Sequence, residues 1–240
     1  MKVKFDATGE VVVITGGAQG IGAALATAVN AVGGTAVVFD VTPPAAGIEY
    51  VEVDVADRTA VEAAAQGVLE QYGRIDGLVA GAAVQPRSSV LEMDAAEWTR
   101  TLQVNLDGVV WACQAVVPHL VARQSGSVVV FTSGLAATGY AGAAGYAASK
   151  AALVAFAKSL AAEVAADRVR VNVVAPGVID TVQFRGANAG ADRDHWQDTI
   201  GIGDPDDVVG LLLFLLSDAA AITGSVLPRE RAFAKLTSFI

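Results

Sequence analysis

The chain has almost nothing to cross-link with: its single cysteine, Cys113, closes no internal disulfide, which points to a reducing compartment. Charge is scarce as well, at 17% of residues against the roughly 25% of an average globular protein, while 53% are hydrophobic. That pairing excludes a disordered chain, which needs dense charge and few apolar residues. Histidine is nearly missing too. His119, His195 and Cys113 share no ligand spacing, so no metal site is expected and all three are assigned to packing or surface.

Positive charge is in deficit, with 16 Lys and Arg against 25 Asp and Glu and a formal net charge of −9. Polyanions attract clustered cations, so neither nucleic acid nor an anionic membrane is expected as a partner. The densest apolar run, Val208 to Leu216, is far short of the ~20 residues that cross a bilayer. Met-Lys-Val-Lys leads into no apolar secretion segment, and the expected location is the cytoplasm.

What is abundant is alternation. Short β-branched runs, Val11–Ile14, Ala36–Phe39, Tyr50–Val53, Gly77–Val79, Ser127–Phe131 and Arg170–Val173, are separated by Ala-rich helix candidates near 20–32, 57–72, 94–123, 145–166 and 204–217. Runs without polar alternation indicate strands covered on both faces. The repetition predicts a doubly wound α/β fold, a Rossmann-like parallel sheet with helices on both faces. No linker, charge block or repeat divides the 240 residues, so a single domain is expected. The stretch from about 181 to 203, rich in Gly, Ala and Asp, fits neither period and is expected to be a substrate lid.

After the first run comes Thr15-Gly16-Gly17-Ala18-Gln19-Gly20-Ile21-Gly22, leading straight into a helix candidate. Glycines there let a pyrophosphate reach the helix N-terminus, where free N–H groups and the dipole favour an anion. The same turn also has a purely structural reading. Asp40, eighteen positions after Gly22, stands where an acid accepts the two ribose hydroxyls of an adenosine, or where it caps a strand end. A 2′-phosphate would meet like charge at Asp40, and neither Ala18–Gln19 nor its neighbours supply a Lys or Arg, so NAD is expected over NADP. Asp54 either faces the adenine or caps the helix that follows.

Tyr146 and Lys150, four apart at the head of a helix candidate, share one face. A phenol of pKa about 10 becomes a usable acid/base beside an ammonium that favours its phenolate. Ser133, at a strand's carboxyl end, is placed to donate to a substrate oxygen. Each residue alone reads equally well as packing, surface charge or turn.

Taken in order, TGGAQGIG, Asp40, Asn105 in Val-Asn-Leu-Asp-Gly, Ser133 thirteen positions before Tyr146, YAASK, Asn172-Val-Val-Ala-Pro-Gly177 and Thr223-Gly224 resemble the short-chain dehydrogenase/reductase family, single-domain NAD(P)-dependent oxidoreductases. The resemblance runs over about 9–227. It implies Tyr146 as acid/base, Ser133 orienting the reacting oxygen, Lys150 lowering the phenol's pKa and holding the nicotinamide ribose, and Asn105, which on its own reads as a helix-kink or packing amide, holding a water of a proton relay. It also implies cofactor contacts from Gly16, Gln19, Gly20, Ile21, Gly22, Asp40, Asp54, Val55, Ala80, Gly81, Tyr146, Lys150, Pro176, Gly177, Val178 and Thr181, and a homotetramer, with a dimer as the smaller option.

Two departures stand out. Ala80-Gly81-Ala82-Ala83 replaces the family's Asn-Asn-Ala-Gly, so other hydrogen bonds must hold that segment. The usual Val-Asp-Gly-Gly after Leu227 is replaced by Pro228-Arg229-Glu230-Arg231, and a shortened last strand is expected. Leu135, Val84, Gln85, Tyr140, Val178, Gln183, Phe184 and Trp196 are the expected substrate pocket. Being mainly apolar, and without a cluster of Arg or Lys to mark a carboxylate or phosphate subsite, they suggest a hydrophobic small-molecule secondary alcohol or ketone, cyclic and aromatic ones included. A ketoacyl-type reductase, a silent NAD-binding regulatory protein and a Rossmann-like methyltransferase are the competing readings.

Overall fold

A computed structural model describes residues 4–190, 196–198 and 201–229. Seven strands form one parallel sheet in the order β3-β2-β1-β4-β5-β6-β9, and a separate two-stranded ribbon pairs β7 with β8. The strands are β1 (Val11–Thr15), β2 (Thr35–Asp40), β3 (Glu49–Glu52), β4 (Gly77–Ala80), β5 (Gly126–Phe131), β6 (Val169–Ala175), β7 (Val178–Ile179), β8 (Ile202–Gly203) and β9 (Val226–Pro228). The helices are α1 (Gly20–Ala31), α2 (Arg58–Tyr72), α3 (Ala95–Leu102), α4 (Gly108–Ala122), α5 (Leu135–Thr138), α6 (Ala144–Val164), α7 (Val182–Ala187) and α8 (Asp206–Leu216). All six sequence-predicted strands are present with ends shifted by at most two residues, and the doubly wound expectation holds.

The side-chain period of two explains why uniformly apolar strands suit this sheet. Val11 and Val13 point to one face, where they join Val37, Leu78, Val128 and Val171 beneath α2, α4 and α6. Val12 and Ile14 point to the other, joining Val38, Val79 and Val129 beneath α1 and α8. Leu25 of α1 and Leu212 of α8 are wholly buried there. Truncating either to Ala removes about 2–5 kcal/mol.

The long helix expected over 94–123 is broken by a π-helical turn, Gln103–Asp107, between α3 and α4. By length and composition Ala95–Ala122 could cross a bilayer, yet 56% of its most apolar window is buried inside the protein, where α4 packs on α2 and on β4 and β5. It is a core helix in this fold. The sequence-predicted cap of α2 also shifts: Asp57, not Asp54, accepts from the Ala60 N–H at 3.1 Å.

Where the strands begin, charge is answered by charge. Asp76 accepts from Val11 N at 2.8 Å and pairs with Arg74 at 2.6 Å and Arg123 at 3.0 Å. Arg170 donates to the carbonyls of Leu215 and Leu216 at the end of α8, and Ser127 donates to the same Leu215 carbonyl at 2.7 Å. This stitching leaves the opposite rim, where the strands end, to carry the site.

Candidate active site

The strand order reverses between β1 and β4, and a crevice opens at such a switch point. Here it is a cleft of about 500 Å³ running from the β1–α1 turn, past the ends of β2 and β5, to α7. Gly16 takes φ +72°, and a Cβ on it would lie 2.6 Å from Ala82 Cα, so the turn requires glycine and the 80–83 segment requires small residues. A Cβ on Gly22 would strike the Gly16 carbonyl oxygen, which is why the helix can start so close to the strand. No side chain caps α1 at Gln19, so its first amides remain open to an anion. Thr181 lies against this turn, its methyl nearest the space beside Gly20. Its hydroxyl oxygen accepts from Phe184 N at 3.0 Å and caps α7.

Asp40 ends β2 at the cleft edge. One carboxylate oxygen accepts from Ala18 N at 3.0 Å and the other from Thr42 N at 3.1 Å, so the acid is fixed in orientation with lone pairs to spare. Asp54 faces the same cleft and accepts from Arg100 at 2.8 Å and Ala56 N at 3.0 Å. Burial pushes its carboxyl up, and those two bonds outweigh burial and leave it below the ordinary range.

On the far side, β5 and α6 are locked in register by their own ends. Thr132 Oγ1 donates to the Lys150 carbonyl at 2.8 Å, and Lys150 Nζ donates to the Phe131 carbonyl at 3.0 Å. That brings Ser133 to Tyr146, and a hydrogen bond from Ser133 favours the phenolate. Ser133 Oγ also accepts from Leu135 N at 3.2 Å. Lys150 Nζ lies 5.9 Å from the Tyr146 ring centre. Burial is the largest influence on both groups: it raises the Tyr146 phenol above its ordinary pKa and drops the Lys150 ammonium to about 8. Besides Ser133, the group that lowers the phenol is the Arg87 guanidinium, a residue absent from the sequence expectations.

The cleft gathers nearly every residue the sequence singled out, including Ile21, Val55, Gly81, Val84, Gln85, Leu135, Tyr140, Pro176, Gly177, Val178, Gln183, Phe184 and Trp196. Two stand apart. Ala80 is buried within β4, its side chain on the core face by strand alternation, so it offers the cleft nothing. Asn105 is fully buried behind the cleft, accepting from Val84 N at 2.7 Å and donating to Val84 O at 2.9 Å and Ser149 Oγ at 3.2 Å. Its amide protons are spent, and one Oδ1 lone pair remains for a water.

Other expectations need amendment. Gln183 Nε2 spends one proton on the Ala83 carbonyl at 2.9 Å, which fixes the amide at the cleft wall with its other proton and Oε1 to spare. Phe184 and Trp196 stack at 5.2 Å between ring centres. The sequence shows no cluster of Arg or Lys to mark an anion subsite, and beside the expected Lys150 the cleft is lined by Arg87 and by Arg100, which pairs with Asp54. Cys113 is buried in the core with its thiol pushed up to about 12, while His195 lies outside the described residues. Among the described residues no group of three or more His, Cys, Asp or Glu is arranged for a metal.

Both departures have structural answers. Thr15 Oγ1, buried at the end of β1, accepts from Gly81 N at 3.1 Å and Ala82 N at 3.3 Å and holds the segment by its backbone. The last strand is three residues long, and beyond it Arg229 donates to the Pro176 carbonyl at 3.4 Å while pairing with Asp207 at 2.8 Å, tethering the Pro-Gly turn.

A parallel doubly wound sheet with a glycine turn, an acid ending β2 and a Ser-Tyr-Lys set at the strand ends defines a dinucleotide-dependent oxidoreductase. The family model for short chain dehydrogenases matches residues 10–192, and the chain belongs to that family of NAD(P)-dependent enzymes. It is 32% identical to the 3-oxoacyl-[acyl-carrier-protein] reductase FabG of Chlamydia pneumoniae, covering 89% of this chain and 92% of that one. It is 34% identical to the cis-4-hydroxycyclohexanecarboxylate dehydrogenase of Sinomonas cyclohexanicum, covering 90% and 93%. The ligand-free aldohexose dehydrogenase of Thermoplasma acidophilum superposes with a TM-score of 0.88 at 29% identity over 94% of each chain.

Proposed function

We propose that this oxidoreductase is an NAD-dependent dehydrogenase of a small hydrophobic secondary alcohol, or reductase of the matching ketone. The observation that carries the reading is that Ser133, Tyr146 and Lys150 line one cleft, with Lys150 Nζ 5.9 Å from the Tyr146 ring centre and anchored on the Phe131 carbonyl. The residues fit a dinucleotide: the uncapped α1 N-terminus suits the pyrophosphate, Gly16 and Gly22 leave it room, and Asp40 suits unphosphorylated ribose. Asp54 and Val55 flank the adenine end, and Pro176, Gly177, Val178 and Thr181 the nicotinamide end.

A bound nicotinamide supplies the two-electron step, exchanging hydride with the substrate carbon. Tyr146 exchanges the proton with the substrate oxygen, and Ser133 donates a hydrogen bond to that oxygen and stabilises the charge it develops. With a pKa near 8, Lys150 remains an ammonium at neutral pH, held on the Phe131 carbonyl where it can meet the nicotinamide ribose, while Ser133 and Arg87 are the groups that favour the phenolate. Asn105 acts as a positioning residue, joining the β4 exit at Val84 to α6 at Ser149. Leu135, Gln85, Tyr140, Phe184 and Trp196 border the substrate beside α7 (Val182–Ala187); part of the lid expected over about 181–203 lies outside the described residues.

A ketoacyl reductase reading draws on the likeness to FabG, but an acidic carrier protein would meet an enzyme of net charge −9. Cytoplasmic location and a homotetramer are part of the proposal. A panel of secondary alcohols, each supplied with NAD and with NADP, tests it by reduced-cofactor absorbance. Turnover with NAD supports it; an acetoacetyl thioester reduced far faster with NADPH than any alcohol is oxidised with NAD overturns it.

A further inference from the structure

The loop after β4 carries Gln85-Pro86-Arg87-Ser88, and Arg87 enters the cleft that holds Ser133 and Tyr146. Two of its nitrogens are held by the far wall: Nε donates to the Ala187 carbonyl at 3.1 Å and Nη2 to Asn188 Oδ1 at 2.7 Å. The guanidinium stacks over Tyr140 at 5.0 Å. Nη1 is buried and has no partner.

Among the described residues, Arg58, Arg74, Arg100, Arg123, Arg185 and Arg229 all pair with carboxylates. Arg87 pairs with none, and the groups whose charge reaches it are the phenols of Tyr140 and Tyr146. Of the described arginines, Arg168 and Arg170 also lack a carboxylate partner, but Arg170 spends its donors on the Leu215 and Leu216 carbonyls at the opposite rim, whereas Arg87 lines the cleft. A buried unpaired donor is costly unless something fills it. The rigid fork of Arg87 leaves both Nη1 protons and one on Nη2, the edge that matches the two oxygens of a carboxylate; Nη1 is covered in the free protein, so a ligand engages it as the covering groups shift. A phosphate would bring about twice the negative charge of a carboxylate to a single cation, so the carboxylate fits better.

We infer that Arg87 anchors a carboxylate on the substrate, remote from the carbon that Tyr146 and Ser133 address. The substrate class is then a hydroxy acid, or the oxo acid it yields, whose apolar body lies among Leu135, Phe184 and Trp196. This rests on the dehydrogenase reading of the same cleft. It also replaces the sequence expectation of a pocket without an anion subsite.

The test measures binding and turnover separately. Benzoate, benzamide and phenyl phosphate are titrated calorimetrically into the protein with and without NADH. A series of hydroxycycloalkane carboxylates and their primary amides is then assayed for kcat/KM in the wild type, Arg87→Gln and Arg87→Lys. The expected result is a preference of acid over amide of at least about tenfold in both readouts. It falls to within about twofold in Arg87→Gln and is partly kept in Arg87→Lys. The ratio of acid to amide is the readout, because loss of the guanidinium also raises the Tyr146 phenol and slows both substrates alike. Indifference to the carboxylate, or a preference that survives Arg87→Gln, overturns the anchor while amide turnover leaves the dehydrogenase reading standing. Tighter binding of phenyl phosphate than benzoate overturns the carboxylate assignment. Benzoate binding lost in Arg87→Gln, without NADH binding or turnover, supports the anchor and sinks the dehydrogenase reading.

Discussion

The two rims of the sheet are built from the same kinds of residue and finished in opposite ways. Where the strands begin, Asp76 is met by Arg74, Arg123 and a backbone amide, and Arg170 is met by two helix-end carbonyls. Where they end, α1 opens without a side-chain cap, Arg87 keeps a free nitrogen, and Lys150 is buried with its ammonium on the Phe131 carbonyl. One rim closes the fold, and the other holds back bonds that a ligand can make. Unpaired polarity therefore gathers on the rim where binding energy can offset it.

The sharpest way to break the contrast is at Tyr146. Tyr146→Phe is expected to cut turnover by roughly a thousandfold while NADH affinity and melting temperature stay within error, because the loss is confined to proton transfer. Stopped assays on the best alcohol, with NADH fluorescence titration beside them, check this; unchanged turnover refutes the assigned role.

Lys150 gives the next largest effect. Its folded pKa of about 8 lies below the ordinary 10.5, so the unfolded chain binds more protons between those values. Stability from this group therefore rises with pH from about 8 to 10.5 and is flat below 8. Denaturant melts at pH 7.5, 9 and 10 should show a slope of up to about 1.4 kcal/mol per pH unit in the wild type that Lys150→Met lacks. Parallel slopes in the two proteins would show that the ammonium is not held in this environment.

At the opposite rim, Asp76→Asn leaves Arg74 and Arg123 without their shared acid. It should cost about 2 kcal/mol, lowering the melting temperature by roughly 4–8 °C without changing kcat. A loss of kcat at full folding would mean the rims are coupled. The smallest effect is expected at Asp40→Ala, which should weaken NADH about tenfold and NADPH far less. Equal losses for both cofactors would count against ribose recognition.

Much of this was legible in the residues. The β-branched runs located six strands, and the spacing from Gly16 through Asp40 and Ser133 to Lys150 placed one of each at a strand end or helix head. What escaped was long-range. Arg87 meets residues 100 and 101 positions away, and no local pattern separates such an arginine from one in solvent. Thr15 holds the Gly81 amide across 66 residues, and Arg229 reaches Pro176 across 53. The π-helical turn at Asn105 was hidden because a helix and a helix with one widened turn share the same apolar period.

By itself the sequence determined the alternation of strand and helix, the family and the identity of the phenol, ammonium and hydroxyl. Periodicity, glycine placement and four-residue spacing are local properties of a chain. Only the tertiary structure decided which cations are neutralised and which remain available, that Asn105 clamps Val84 to Ser149, and that Ala80 faces the core. Those outcomes depend on which distant groups arrive within hydrogen-bond reach once the sheet closes, and the free energy of burying a charge is set by that company and not by its neighbours in sequence.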